Sequence, residues 1–218
     1  MFARIAPTYD VLNHTLSARR DAAWRRAVVS QLDPGARRVL DLCAGTGDLA
    51  LALAARWPEA RVCAGDFCFE MLQRGLPKGL GRAAAPAACD ALRLPFGDAT
   101  FDAVTVAFGV RNFEDLERGL AEIRRVTRPG GQLAVLEFFR STSRWRELPF
   151  RAYFHHVLPR IGRLVSGDAE AYTYLPRSVG RFVTRAEFEA ALRRAGYGDI
   201  RRREMTLGIA TLFSARAG

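Results

Sequence analysis

A chain of 218 residues, 49% apolar and 26% charged, is long enough to bury one substantial core and too apolar to be disordered. No run approaches the roughly 18 apolar residues of a membrane span, and the opening MFARIAPTYD lacks the apolar stretch of a secretion signal. The expected compartment is therefore the cytoplasm, with at most a peripheral contact at the inner face of a membrane. The net charge of +10 rests on scattered arginines, Lys78 being the lone lysine, and no zinc-finger, basic-zipper or aromatic RNA-binding spacing accompanies them. Nucleic acid is not an expected partner, whereas a weak attraction to anionic lipid head groups is.

Residues 1–30 precede any regular alternation. From residue 37 onward, strand-length apolar runs at 37–42, 61–66, 84–89, 101–107 and 131–138 alternate with helical patterns at 48–57, 69–75 and 114–127. In the last of these helices Leu116, Leu120, Ile123 and Val126 repeat at helical spacing, and Pro129-Gly130-Gly131 should end it. Thr184 with Glu187 forms a capping-box signature for a helix over 184–196, closed by Gly196. Two final strands, 198–205 and 208–216, have no helix between them and must pair antiparallel. The pattern specifies an α/β fold: an open, doubly wound, mostly parallel seven-stranded sheet in a single domain, 1–218. A helical N-terminal segment (1–30) and a helical insertion after the fifth strand (139–182) stand outside the repeat. In the insertion, Phe150, Phe154, Val157, Leu158, Ile161 and Val165 recur at helical spacing with arginines between and Pro159 dividing them. It reads either as a helix on the core or as a lid over a greasy ligand at a membrane surface.

The four cysteines, Cys43, Cys63, Cys68 and Cys89, include no C-x-x-C pair and read as small core residues. No metal site is expected.

The stretch VLDLCAGTGDLA (39–50) carries Gly45, Gly47 and Ala50 in the spacing of a dinucleotide loop, yet Asp41 and Asp48 flank the glycines. A pyrophosphate at the following helix would meet both acids, at a cost of roughly 3 kcal/mol each for about 5 Å and an effective dielectric near 20. S-adenosylmethionine has no phosphate; its ammonium and sulfonium welcome the acids, and loop amides suit its carboxylate. Asp66, ending the second strand, is placed to accept from ribose hydroxyls. Asp90 after the third can accept from an adenine amine, with Ala91 offering its amide and Leu92 an apolar face. No phosphate-binding G-x-x-x-x-G-K-[ST] loop is present.

The blocks MFARIAPTYDVLNHTLS, VLDLCAGTGDLA, GDFCFEML, AFGVRN, LPRIG and YTYLPRSV resemble the ubiquinone/menaquinone biosynthesis C-methyltransferase family over nearly the whole chain. The resemblance implies a Rossmann-like class I methyltransferase fold, S-adenosylmethionine as cofactor, and methyl transfer to a ring carbon of a reduced polyprenyl quinone. It carries cofactor contacts onto Thr46, Asp66, Asp90 and Ala91, and places Ala107 near the cofactor. The expected partners are the polyprenyl quinol, a membrane surface and a second copy of the chain. Ring carbon becomes nucleophilic once a quinol oxygen loses its proton, so an oxyanion must be stabilised. Arg111 and Asn112, after the fourth strand, are the candidate donors, with Arg111 pairing to a surface acid as the alternative. Tyr9 or a water is the candidate proton relay, since arginine stays protonated. Asp102, at the start of its strand, reads as structural, and His14, His155 and His156 receive no role. Tyr153, Tyr172 and Tyr174 line a quinone pocket or pack in the core. Cys68, Arg177, Leu207 and Phe213 depart from the family's usual Ser, acid, Gly and His. A methyltransferase for another small lipophilic acceptor and an inactive cofactor-binding subunit remain alternative readings.

Overall fold

In the computed structural model, which describes residues 20–140 and 169–218 (side chains of 169–173 excepted), the sheet comprises β1 (Arg38–Leu42), β2 (Arg61–Asp66), β3 (Ala85–Ala88), β4 (Phe101–Ala107), β5 (Thr127–Glu137), β6 (Tyr197–Met205) and β7 (Ala210–Ala217). Their order across the sheet is β3-β2-β1-β4-β5-β7-β6. The first five are parallel. β7 enters antiparallel between β5 and β6, as two strands without an intervening helix require. Because β1 pairs with β2 on one side and β4 on the other, the chain reverses direction across the sheet at β1, and a crevice opens above its carboxyl end.

Helices α1 (Asp21–Gln31), α2 (Asp48–Arg56), α3 (Phe69–Gly75), α4 (Leu116–Val126), α5 (Ala169–Arg181) and α6 (Arg185–Arg194) complete the described elements. One sheet face, through Val39, Ala103, Ala134 and Leu136, packs on α1 and α2. The other, through Leu40, Val104, Leu133 and Val135, packs on α4 and α6. The central strands are buried on both faces, which is why β1 and β4 read as nearly continuous apolar runs. In α4 the residues at helical spacing, Leu120, Ile123 and Val126, are wholly buried. Its start lies at Leu116 rather than 114 because the Asp115 carboxylate caps it, accepting from the Arg118 N–H at 3.0 Å. The capping box of α6 is present in both halves.

Other segments also differ from expectation. β5 begins at Thr127, which pairs with Phe101 before Pro129-Gly130-Gly131 loops out as an irregularity in the ladder. β7 begins at Ala210 because a tight turn occupies 206–209: Thr206 and Leu207 both have positive φ, and the Gly208 N–H donates to the Met205 carbonyl at 3.1 Å. Residues 21–30 do not stand outside the sheet. They form α1, whose Trp24 is buried, donates to the Thr206 hydroxyl at 2.9 Å and packs on Phe108 and Phe138. The remaining parts of the two proposed lid segments, 1–19 and 141–168, lie outside the described residues, and with them Tyr9, His14, Tyr153, His155 and His156. The Asp102 carboxylate accepts from the Arg37 and Arg38 amides at 2.8 Å each and pairs with Arg128, a structural clamp at the amino ends of the strands. Among the described residues no helix is long and apolar enough to cross a membrane.

Candidate active site

Above the carboxyl ends of β1, β2 and β4 lies a cleft of about 520 Å³. Cys43 and Gly45 line it from the β1 loop, and Asp66 to Cys68 from the end of β2. Asp90, Ala91 and Leu92 reach it from the end of β3, and Ala107 to Gly109 from the end of β4. A 3₁₀ turn, Val110–Asn112, adds Asn112, and the next two residues, Phe113 and Glu114, continue the wall; Tyr174 of α5 closes that side. Sequence reasoning thus brought Gly45, Asp66, Asp90, Ala91, Ala107 and Asn112 to one cleft. It missed Phe67 and Glu114, whose only signal was adjacency to Asp66 and to the FGVRN block.

The β1 loop is stitched to the end of β2. Asp66 accepts from the Gly45 N–H at 2.7 Å on one oxygen and from the Cys68 N–H at 2.8 Å on the other. Burial pushes its carboxyl above the usual range, and those two amides hold it partly down. A carboxylate offers about four acceptor positions, so two remain for diol hydroxyls. Three of the loop amides are committed elsewhere: besides Gly45, the Ala44 N–H donates to the Gly65 carbonyl and the Gly47 N–H to that of Ala44. Gly45 therefore offers the cleft close approach rather than a donor. Gly47 (φ 83°) serves packing, since a Cβ there would lie 2.8 Å from Leu80.

The two flanking acids require correction. Asp48 does not face the cleft; it pairs with Lys78 at 2.5 Å and with Arg25 at 3.5 Å, so its charge is compensated. Asp41 lies beneath the loop, 1% exposed, with one oxygen accepting from the Thr105 hydroxyl at 2.8 Å and the other without a partner among the described residues. Burial raises its carboxyl to about 7. Thr46 is also buried off the cleft wall, its hydroxyl accepting from Lys78 at 2.8 Å. The acids that border the cleft are Asp66, Asp90 and Glu114.

Arg111 is not at the cleft wall, nor does it pair with a surface acid. Its Nη1 donates to Glu137 at 2.8 Å, and Glu137 is wholly buried at the end of β5. Arg111 borders a neighbouring cavity of about 500 Å³ that shares Phe113, Glu114 and Tyr174 with the cleft. Asn112 is placed as expected, and its side-chain oxygen accepts from the Tyr174 hydroxyl at 2.6 Å, which leaves its NH₂ to donate. Tyr172 lies on α5, its side chain outside the described residues. Cys43, Cys68 and Cys89 all border the cleft, and burial pushes each thiol up, Cys89 to about 12. Of the other departures, Arg177 borders the second cavity, Leu207 sits in the exposed turn, and Phe213 packs 5.2 Å from Phe188 and 5.3 Å from Phe139 in the core.

A doubly wound sheet in this order, with antiparallel β7 between β5 and β6 and an acid at the end of β2, is the architecture of the class I S-adenosylmethionine-dependent methyltransferases. Solved structures share the fold. A SAM-dependent methyltransferase from Thermotoga maritima superposes at a TM-score of 0.69 and 18% identity, covering 100% of this chain and 98% of that one. Phosphoethanolamine N-methyltransferase 2 of Haemonchus contortus, solved with S-adenosyl-L-methionine, reaches 0.66 at 16% identity, covering 88% and 52%. Within that class, the chain belongs to the ubiE/COQ5 methyltransferase family, whose model matches residues 1–216. It is 48% identical to the demethylmenaquinone methyltransferase of Deinococcus radiodurans, over 98% of this chain and 89% of that protein. It is 45% identical to that of Thermus thermophilus, over 97% of each, and 45% identical to the ubiquinone/menaquinone biosynthesis C-methyltransferase of Syntrophotalea carbinolica, over 98% and 91%.

Proposed function

We propose that the chain methylates a ring carbon of a reduced polyprenyl quinone, demethylmenaquinol to menaquinol, with S-adenosylmethionine as donor. The observation that carries this reading is the near full-length identity to demethylmenaquinone methyltransferases, 48% and 45%. The cleft suits the cofactor: Asp66 has acceptor capacity left for the ribose, Asp90 and Ala91 flank an adenine position, and Leu92 with Met71 supplies apolar wall. Ala107 lines the cleft and leaves room near the sulfonium. S-adenosylmethionine, when bound, supplies a methyl group on a positively charged sulfur. The chain's own part is to orient the acceptor and hold the developing oxyanion. The Asn112 amide is the proposed donor at the cleft, and Arg111, which borders the adjoining cavity, the proposed second donor. Tyr9 is the proposed proton relay. The parts of the two apolar lid segments that lie outside the described residues, 1–19 and 141–168, their arginines at an anionic membrane surface, and a second copy of the chain belong to the same proposal.

Incubation with labelled S-adenosylmethionine and a panel of reduced demethyl-quinones, with products identified by mass spectrometry, tests it. A ring-methylated quinol is expected. Label on a different acceptor class, or cofactor binding without any methylated quinol, refutes the substrate assignment.

A further inference from the structure

Glu137 was not among the residues that the sequence marked, yet it has the most constrained carboxylate beside the site. It ends β5, paired with Thr211 of β7, and is 0% exposed. Every bond it accepts comes from the segment that walls the cleft or from the residue that follows it. Oε1 accepts from Arg111 Nη1 at 2.8 Å and from the Phe138 N–H at 2.7 Å, and Oε2 from the Arg111 N–H at 3.3 Å. The same Nη1 donates to the Phe108 carbonyl at 2.6 Å, and the Phe108 N–H donates to the Leu136 carbonyl at 2.8 Å. Phe108 itself is held at φ 60°, a backbone state that a bulky side chain rarely adopts and that surrounding bonds must enforce. Residues 108–111 are thus wound about one carboxylate and pinned to β5 at Phe108 and at Arg111.

A buried ion pair is a poor device for stability alone, because well-packed apolar residues of similar volume usually serve as well or better. Its distinctive product here is geometry. It fixes the guanidinium with Nη1 engaged and Nε buried without a partner among the described residues, at the edge of the second cavity. It also fixes the backbone one residue before Asn112, whose amide faces the cleft. We infer that Glu137 is a positioning residue for methyl transfer: through Arg111 it sets where the 108–112 segment presents its donors to the acceptor. This rests on the acceptor-side role proposed for Arg111 and Asn112.

The test compares Glu137→Gln, Arg111→Lys and the double variant. Each is measured for cofactor affinity by calorimetry and for kcat and both KM values in the quinol assay. Glu137 touches none of Gly45, Asp66 or Asp90, so cofactor affinity should stay within about threefold of wild type. kcat should fall at least 30-fold, and Glu137→Gln added to Arg111→Lys should cost less than threefold more, because the two act in series. If Glu137→Gln does not fold, Glu137→Asp keeps the charge while withdrawing it by one methylene, and the same pattern is expected. A lowered melting temperature with kcat intact overturns the inference, as do parallel losses of cofactor affinity and kcat. Full additivity with an impaired Arg111→Lys overturns it too, while leaving the role of Arg111 standing. An Arg111→Lys enzyme with wild-type turnover instead overturns the acceptor-side role, and this inference with it.

Discussion

Asp41 has one carboxylate oxygen satisfied by Thr105 and one with no partner among the described residues, at 1% exposure. Ionising it in the folded protein is therefore costly, and burial raises its carboxyl from 3.8 to about 7. The sign follows from proton counting. Between those two values the folded chain holds a proton that the unfolded chain has released, so stability falls as pH rises from about 4 to about 7. The full span corresponds to about 4 kcal/mol as an upper bound. Asp41→Asn should flatten this stretch of a denaturation-versus-pH curve and be more stable than wild type at pH 8. An unchanged slope between pH 4 and 7 would mean that Asp41 is solvated or paired. Nothing in the string VLDLCAGTGDLA distinguished this buried acid from Asp48, because the difference is made by Lys78, thirty residues further along the chain, and by Arg25. The ion pair of Arg111 was equally hidden: its partner is 26 residues away, and an arginine in a motif says nothing of the strand end beneath it. Asp66 was legible because its place depends on local strand and loop signals alone.

At the scale of elements, the strands and α4 were readable because their apolar periodicity reports burial directly. The turn joining β6 to β7 was not. Two successive residues there take positive φ, a place where Asn or Gly is expected, whereas the chain supplies Thr206-Leu207. Tertiary contacts explain the first: the Thr206 hydroxyl accepts from Trp24 of α1, tying the turn to a helix more than 170 residues earlier in the chain, a separation of 182. Leu207 has no such tie. It is 97% exposed at φ 57°, so its side chain packs on nothing and its backbone is strained. Leu207→Gly should raise stability by about 0.5–1 kcal/mol, the relief of strain exceeding the added flexibility of the unfolded chain. Chemical denaturation would show an increased midpoint at unchanged slope, and a lower midpoint would place Leu207 in a contact. The turn lies at the same edge of the sheet as the cleft-lining loops, but none of its residues lines the cleft, so cofactor affinity should not move.

For the molecule as a whole, the cleft predicts a selective ligand response. S-adenosylmethionine at about 100 times its dissociation constant should add about 2.7 kcal/mol, some 5–10 °C in melting temperature for a chain of this size. NADH at the same concentration should add nothing, since Asp90 and Glu114 border the cleft beside Asp66 and the amides of Ala44, Gly45 and Gly47 are already engaged. Asp66→Ala should lose most of the response, because two hydrogen bonds to a charged acceptor vanish, each typically about 1.5–3 kcal/mol. A thermal shift with NADH alone would reverse the assignment of the cleft.

The two margins of the sheet differ in make-up but have the same effect. On one side β3 is four residues long and includes Pro86, which has no N–H to offer a newcomer. On the other, β6 displays Arg201, Arg202 and Arg203 in succession, all exposed. A second copy laid antiparallel about Arg202 would set that residue against itself and Arg201 against Arg203; laid parallel in register, it would oppose each arginine to its twin. Like charges facing across a ladder are repulsive, so neither arrangement is favoured. Edge-to-edge growth of the sheet is thereby disfavoured at both borders, and with it fibrous polymerisation by strand addition.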